Sequence, residues 1–186
     1  MSIRRRLFVL ASLIVAASFV AAAQPKRTGL MGDLIADITD VESKIVGLAK
    51  AMPDASYAWR PMPGVRSVGE AFTHVAADNY FLPIALGATA PPATGISGTD
   101  YKTVAAYEAK TRTRAEIIAE VEQSFAFLKK AMADTQDAKM DQTMKMFGRE
   151  SSVRTTWVMT VTHVHEHLGQ LIAYARSNKV TPPWSK

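Results

Sequence analysis

The chain has 186 residues and no cysteine, with 48% hydrophobic and 21% charged residues. This length and composition are typical of one globular domain with its own hydrophobic core. The absence of cysteine excludes disulfides, thiol nucleophiles and thiolate metal ligands, so any metal ion must be bound by His, Asp or Glu.

The N-terminal segment has the three-part layout of a secretory signal. Three arginines precede an apolar run that begins at Leu7, and three alanines end at Ala23. We expect cleavage after Ala23, which gives a signal peptide over residues 1–23 and a periplasmic or secreted domain over residues 24–186. An uncleaved membrane anchor is the alternative, because the apolar run is just long enough to span a bilayer. Adjacent arginines before this run leave both general secretory and twin-arginine export open.

The charge of the mature part argues against a nucleic-acid partner. Cleavage would remove three arginines and no acidic residue, which leaves 19 basic against 17 acidic residues and lowers the net charge from +5 to +2. Nucleic-acid binding depends on concentrated positive charge that neutralises phosphates, and the mature sequence contains no lysine- or arginine-rich run. We therefore expect no nucleic-acid partner, and no membrane association once the signal is cleaved.

The first half of the mature chain predicts two long helices and a loop. Residues 28–51 place apolar side chains at steps of three and four, as in an amphipathic helix. Ser67 and Glu70 have the spacing of a capping box, so a second helix should begin at Ser67 and run toward Leu86. The segment 87–100 is rich in Gly, Pro, Ser and Thr, which predicts a long crossover loop.

The second half predicts a short helix followed by two long ones. A second capping box at Thr113 predicts the start of the third long helix. Residues 134–150 predict a connection with at most a short extended piece, in which the methionines are packing residues. The final helix should begin near Ser151 or Ser152 and end near Asn178, a residue that suits a left-handed cap. Four long helices with one crossover predict an all-α four-helix bundle without a second domain.

Three of the four histidines lie close together in the last predicted helix, as His163, His165 and His167. At 100° per residue, His163 and His167 share one face one turn apart, whereas His165 points to the opposite side. A working zinc-type site usually has three protein ligands, and bundles build such sites from facing helices. His74, on the second predicted helix, is the remaining histidine. We therefore predict that His74, His163 and His167 bind one divalent metal ion.

Further polar residues extend this predicted site. On the helical wheel Gln170 and Tyr174 lie on the same face as His163, toward the C-terminus. Glu70 and Asp78 flank His74 at i−4 and i+4. Either carboxylate can accept the second imidazole N–H of His74, and the alternative is that both are simply solvated.

Three other kinds of active site are not predicted. His165 and Glu166 begin an H-E-x-x-H zincin motif, but Gly169 stands where the second histidine is required. A carboxylate di-iron bundle requires several Glu-x-x-His pairs, which the chain lacks. A serine hydrolase of the Gly-x-Ser-x-Gly type is excluded because this motif does not occur.

These features together resemble the DinB-like superfamily of metal-binding four-helix bundles. The resemblance covers roughly residues 28–184 and depends on His74, on His163-x-x-x-His167 followed by Gly169-Gln170 and Tyr174-Ala175-Arg176, and on Pro182-Pro183-Trp184. It implies a bundle of up-down-down-up type. It also implies one divalent ion, zinc or nickel, bound by one histidine of the second helix and two of the last. The matching positions are His74, His163 and His167.

The resemblance is less specific about the reaction than about the metal ligands. Members of the superfamily include transferases and isomerases that use small thiols such as bacillithiol or mycothiol, and many have no known reaction. An exported chain would lie outside the cytoplasm, where such thiols are scarce. We therefore expect a metal-dependent hydrolase or transferase that acts on a small molecule, and the alternative is a non-catalytic metal-binding or structural bundle. The sequence leaves homodimerisation open.

Overall fold

The computed structural model describes residues 27–185, so the predicted signal peptide and its cleavage site lie outside the described residues. The elements in chain order are α1 (Gly29–Ala51), α2 (Val68–Ala85), α3 (Lys102–Glu108), α4 (Arg114–Asp134), β1 (Thr143–Met146), β2 (Arg149–Ser152) and α5 (Val153–Ser177). Short 3₁₀ turns lie at Asp54–Ser56, Asp137–Lys139 and Pro183–Ser185. Within residues 27–185, no helix combines the length and hydrophobicity that crossing a membrane requires.

The four long helices α1, α2, α4 and α5 form a bundle of up-down-down-up type. α1 and α2 each pack against both α4 and α5, so they face each other across the diagonal. Arg114 at the start of α4 donates to the carbonyl of Met52 after the end of α1. Tyr174 near the end of α5 donates to the carbonyl of Arg66 just before α2, and the first turns of α2 and α4 lie together. The predicted four-helix bundle and its topology are confirmed.

α2 is buried on all sides because it lies between two hydrophobic clusters. Fifteen of its 18 residues are buried, which fits a helix with small and apolar residues around its whole circumference. Its inner face packs into the main core with α1, α4 and α5. Its outer face packs against α3, the crossover loop and the β1–β2 hairpin through Phe81, Ile96, Tyr107 and Met146. This second cluster holds α3 against the helix that carries His74.

Both predicted capping boxes form and define where α2 and α4 begin. The Ser67 hydroxyl accepts from the Glu70 N–H at 3.2 Å, and the Glu70 carboxylate accepts from the Ser67 N–H at 2.7 Å. Thr113 and Glu116 form the same pair of bonds at 3.3 and 2.7 Å. A cap of this kind stabilises a helix by about 1 kcal/mol. The box at Ser67 thus begins the helix that carries His74.

The two ends of α5 differ in how well the sequence predicted them. The helix begins after Ser152, whose hydroxyl accepts from the Thr155 N–H at 3.1 Å, as expected. At the other end Asn178 is not left-handed, since its φ is −90°, and the left-handed residue is Lys179 with φ 59°. The Asn178 side chain instead donates to the Tyr174 carbonyl at 2.9 Å. The left-handed residue therefore lies one position later than predicted.

The connection between α4 and α5 is more regular than the sequence indicated. β1 and β2 pair antiparallel, with Thr143 opposite Ser152 and Met146 opposite Arg149. Met146 is buried in the second hydrophobic cluster, and Met140 is buried in the main core. These two methionines are packing residues, as predicted, and Met146 anchors the hairpin beside α2.

Candidate metal centre

The three predicted ligands lie together in the space between α2 and α5. The Nε2 atoms of His163 and His167 are 3.1 Å apart. The ring centroid of His74 lies 4.7 Å from that of His167 and 5.7 Å from that of His163. One donor atom from each histidine and one from Asp78 all lie within 4.8 Å of one another. The helical-wheel argument therefore selected residues that the fold does bring together.

Asp78 places a carboxylate in the middle of this cluster. Its Oδ2 lies 2.8 Å from His163 Nε2 and 3.2 Å from His74 Nε2. The Asp78 side chain is only 9% exposed, and a buried carboxylate requires such polar partners. The sequence left open whether Asp78 accepts from His74 or is solvated, and the structure places it in the group of side chains that can bind an ion.

The outward nitrogens of two histidines have acceptors of their own. His74 Nδ1 donates to Glu108 Oε1 at 2.6 Å, and His167 Nδ1 donates to Gln170 Oε1 at 2.9 Å. Partners of this type hold the proton on Nδ1 and fix the orientation of the ring. The Nε2 lone pairs of His74 and His167 therefore point into the shared space, as metal binding requires.

A chain of hydrogen bonds determines which nitrogen of His167 carries its proton. The Gln170 amide donates to the Tyr174 hydroxyl at 3.1 Å, and that hydroxyl donates to the Arg66 carbonyl at 3.1 Å. Because a carbonyl can only accept, the bonds run in one direction, and the Gln170 amide oxygen is left to accept from His167 Nδ1. Gln170 and Tyr174, which the wheel placed on the histidine face, thus orient a predicted ligand.

The two histidines of α5 have different proton affinities. The hydrogen bond to Asp78 raises the pKa of His163 against the effect of burial, and Glu166, whose carboxylate is 3.6 Å from Nδ1, adds to the increase. Burial lowers the pKa of His167, although its hydrogen bond with Gln170 opposes this. The bond to Asp78 therefore stabilises the proton on His163, whereas burial favours the neutral form of His167, which is the form that can bind a metal.

Glu108 is a residue of this site that the sequence analysis missed. It lies at the end of α3, 34 residues from His74, and its second oxygen pairs with Arg66 at 3.2 Å. Burial favours the neutral carboxyl, but the bonds from His74 and Arg66 outweigh it and lower the pKa of Glu108. Glu70, which has the right spacing on α2, instead completes the helix cap and pairs with Arg60 at 3.1 Å. No sequence spacing reveals Glu108, because only the packing of α3 on α2 brings it to His74.

His165 lies outside the cluster, as predicted. Its Nε2 is 2.7 Å from Asp37 Oδ2 on α1, and both side chains are 44% exposed. The fold therefore separates the three crowded histidines of α5 into an inward pair and one surface residue.

The donor set fits a small divalent ion. Two ligand atoms bound to a tetrahedral ion at about 2.1 Å each lie about 3.4 Å apart. The contacts of Asp78 with His163 and His74 and that between His163 and His167 measure 2.8, 3.2 and 3.1 Å. Imidazole nitrogens with one carboxylate oxygen are ligands that zinc and nickel accept. This cluster of His and Asp side chains can therefore hold a divalent ion.

Comparisons with known proteins agree with this fold. The model of the DinB superfamily matches residues 37–171. A DinB-like protein from Bacillus cereus superposes with a TM-score of 0.66 at 15% identity, covering 83% of this chain and 95% of that one. YfiT from Bacillus subtilis, described as a probable metal-dependent hydrolase with an unusual four-helix bundle topology, gives a TM-score of 0.61 at 11% identity over 87% and 97% of the two chains.

A third solved structure is an enzyme with a longer chain. A mycothiol-dependent maleylpyruvate isomerase superposes with a TM-score of 0.60 at 16% identity, covering 76% of this chain and 60% of that one. No curated protein sequence matches the chain. At these identities the structural similarities establish the fold and leave the reaction to be argued from the residues.

Proposed function

The chain belongs to the DinB superfamily, and from this membership we propose that it is an exported metal-dependent hydrolase whose single divalent ion is bound by His74, His163 and His167. The convergence of the three Nε2 atoms carries the proposal, together with the acceptors on the outward nitrogens of His74 and His167. In this proposal Asp78, the fourth donor of the cluster, does not bind the ion, so the three protein nitrogens leave coordination positions open, which is typical of catalytic rather than structural sites.

The chemistry of the site is divided between the ion and Asp78. When bound, a divalent ion supplies Lewis acidity that polarises a carbonyl or a water molecule. Asp78 Oδ2 lies within the same cluster, 2.8 Å from His163 Nε2, and it would no longer accept a hydrogen bond from that nitrogen if His163 bound an ion through Nε2. Its carboxylate is then available to accept a proton from an attacking water, as a general base. Glu108 and Gln170 keep two of the rings in position during this step.

We favour hydrolysis over thiol transfer for two reasons. Asp78 is a proton acceptor suited to activating water, and hydrolysis requires no thiol cosubstrate, which would be scarce for an exported protein. Among the structural neighbours, one is described as a probable metal-dependent hydrolase and another uses mycothiol, so the fold is compatible with both reactions. Acceleration by added mycothiol or bacillithiol would favour the transferase instead.

Activity measurements with matched variants test this function. Metal-loaded protein is assayed against a panel of activated carboxylic esters, amides and phosphate esters. We expect hydrolysis that a chelator abolishes, and that is lost in His163→Ala but kept in His165→Ala. Asp78→Asn should retain the ion and lower the rate by about 10²–10⁴-fold. Full activity of Asp78→Asn would contradict its role as the base, and equal rates with and without metal would contradict the proposed function.

Export is a separate part of the proposal and has its own test. We propose that the precursor is cleaved after Ala23, so that the mature chain begins at Gln24 and is periplasmic or secreted. Mass spectrometry of the protein recovered from the native host measures this directly. An intact N-terminus at Met1 on a membrane-associated protein would identify the segment as an anchor instead.

A further inference from the structure

A group of three aromatic side chains lies beside the metal centre and has no role in the chemistry above. Phe81 on α2, Tyr101 before α3 and Phe147 at the tip of the β1–β2 hairpin have ring centroids 5.2, 6.0 and 6.1 Å apart. Phe81 is buried, whereas Tyr101 is 48% and Phe147 61% exposed. We call these three residues the aromatic rim. Two of its rings are therefore exposed to solvent, and they pack against the third, which is buried.

The aromatic rim is connected to the metal centre through two helices. Phe81 follows Asp78 by three residues, which corresponds to about 4.5 Å along α2 and a neighbouring face. Tyr101 immediately precedes α3, whose last residue Glu108 binds His74. Burial raises the pKa of Tyr101, and the charges of Asp78 and Glu108 add to this increase. Phe81 and Tyr101, whose ring centroids are 5.2 Å apart, therefore adjoin the two helices that carry Asp78 and Glu108.

Phe147 occupies a backbone position that disfavours it. It forms the two-residue hairpin turn with Gly148, and both residues have positive φ, 50° and 76°. Turns of this type strongly prefer Asn-Gly or Asp-Gly, because most side chains are strained in the left-handed region. Phe147 is also mostly exposed, so hydrophobic burial offsets little of that strain. A strained position that keeps a large ring at a surface beside a site suggests that the ring serves binding.

We infer that the aromatic rim is a substrate-binding subsite for a planar apolar group, whose attached polar group lies at the three histidines. The inference rests on the proposed function, because it assumes that the polar group meets an ion there. The expected substrates are small esters or amides that carry an aromatic ring. Tyr101 and Phe147 supply exposed ring faces and edges, which bind another aromatic ring in stacked or edge-to-face geometry.

Ligand-binding measurements with hydroxamic acids test the subsite without an enzyme assay. Acetohydroxamate, benzohydroxamate and 3-phenylpropanohydroxamate share one metal-binding group and differ in the ring. Isothermal titration calorimetry is carried out on the metal-loaded mature chain. We expect at least one phenyl compound to bind about tenfold more tightly than acetohydroxamate.

Variants of the rim separate binding from folding. The phenyl advantage is the factor by which a phenyl hydroxamate binds more tightly than acetohydroxamate. Phe147→Asn and Tyr101→Ala should each reduce this factor and leave the affinity for acetohydroxamate unchanged. Phe147→Asn also creates the favoured Asn-Gly turn, so its melting temperature should rise by about 2–4 °C while the advantage falls. The control is Val158→Ala, an exposed apolar residue on the His165 side of α5, which should keep the full advantage.

The outcomes distinguish this inference from the proposed function. Failure of acetohydroxamate to bind the metal-loaded protein would overturn the proposed function, and the subsite inference with it. If acetohydroxamate binds but neither phenyl compound binds more tightly, the inference is overturned and the metal centre stands. The same conclusion follows if both rim variants keep the phenyl advantage.

Discussion

The hydrogen bond between Glu108 and His74 gives a sharp test of how the metal centre is built. Glu108→Ala removes the acceptor that lies 2.6 Å from His74 Nδ1, so nothing on α3 then holds the tautomer or the ring orientation. Loss of such a partner typically lowers metal affinity by 10–100-fold, or about 1.4–2.7 kcal/mol. Because the His74 side chain is only 6% exposed and its N–H then lacks an acceptor, the free energy of unfolding should also fall by about 1–3 kcal/mol, so stability is measured separately from metal affinity.

Glu70→Ala is the matched control, because Glu70 also flanks His74 but bonds to the helix cap and to Arg60. It should leave metal affinity unchanged and lower the free energy of unfolding by about 1 kcal/mol. Metal affinity is measured by competition with a chromophoric chelator, and stability by urea unfolding of the metal-free proteins. Equal metal affinities for Glu108→Ala and Glu70→Ala would refute the reasoning about the outer hydrogen bond.

Other properties of the fold can be tested together by unfolding measurements. Gly98→Ala should lower the free energy of unfolding by about 1–3 kcal/mol, because a Cβ there would lie 2.8 Å from the backbone of Ala85. Gly169→Ala should raise it by about 0.5–1 kcal/mol, because apart from the helix's own nearby backbone no atom lies within 4 Å of the new Cβ. Opposite signs for the two variants would contradict this packing. Burial raises the pKa of Tyr57 and of Tyr80 to about 12, so both favour folding fully below pH 10 and lose that contribution as the pH rises to 12. The urea midpoint should therefore fall over this range, and a constant midpoint would be inconsistent with buried neutral phenols. Chelation should lower the melting temperature but leave the helical circular dichroism intact at 25 °C, whereas unfolding on chelation would indicate a structural ion.

The sequence predicted the parts of this fold that depend on local patterns. The capping residues Ser67 and Thr113 mark the starts of α2 and α4, because a capping box is formed by side chains three residues apart. His163 and His167 were likewise predictable, because side chains four residues apart lie on one face of any α-helix. His74 was reached by elimination, because the chain has only four histidines.

The parts that the sequence could not predict depend on long-range packing. Glu108 reaches His74 only because α3 packs on the outer face of α2 through residues such as Tyr107. The aromatic rim combines side chains from α2, the start of α3 and the β1–β2 hairpin, and the strain at Phe147 is visible only in its φ angle. No periodicity in the sequence specifies how a short helix and a hairpin dock on a bundle.

Metal content of the histidine variants tests the central claim most directly. Each purified protein is saturated with zinc or nickel, freed of excess ion, and measured by elemental analysis alongside its circular dichroism spectrum. We expect one ion per chain in the unmodified protein and in His165→Ala, and loss of the ion in His74→Ala, His163→Ala and His167→Ala with the helices intact. If His165→Ala loses the ion as readily as His163→Ala, or if His163→Ala keeps it, the ion is not bound by these three histidines.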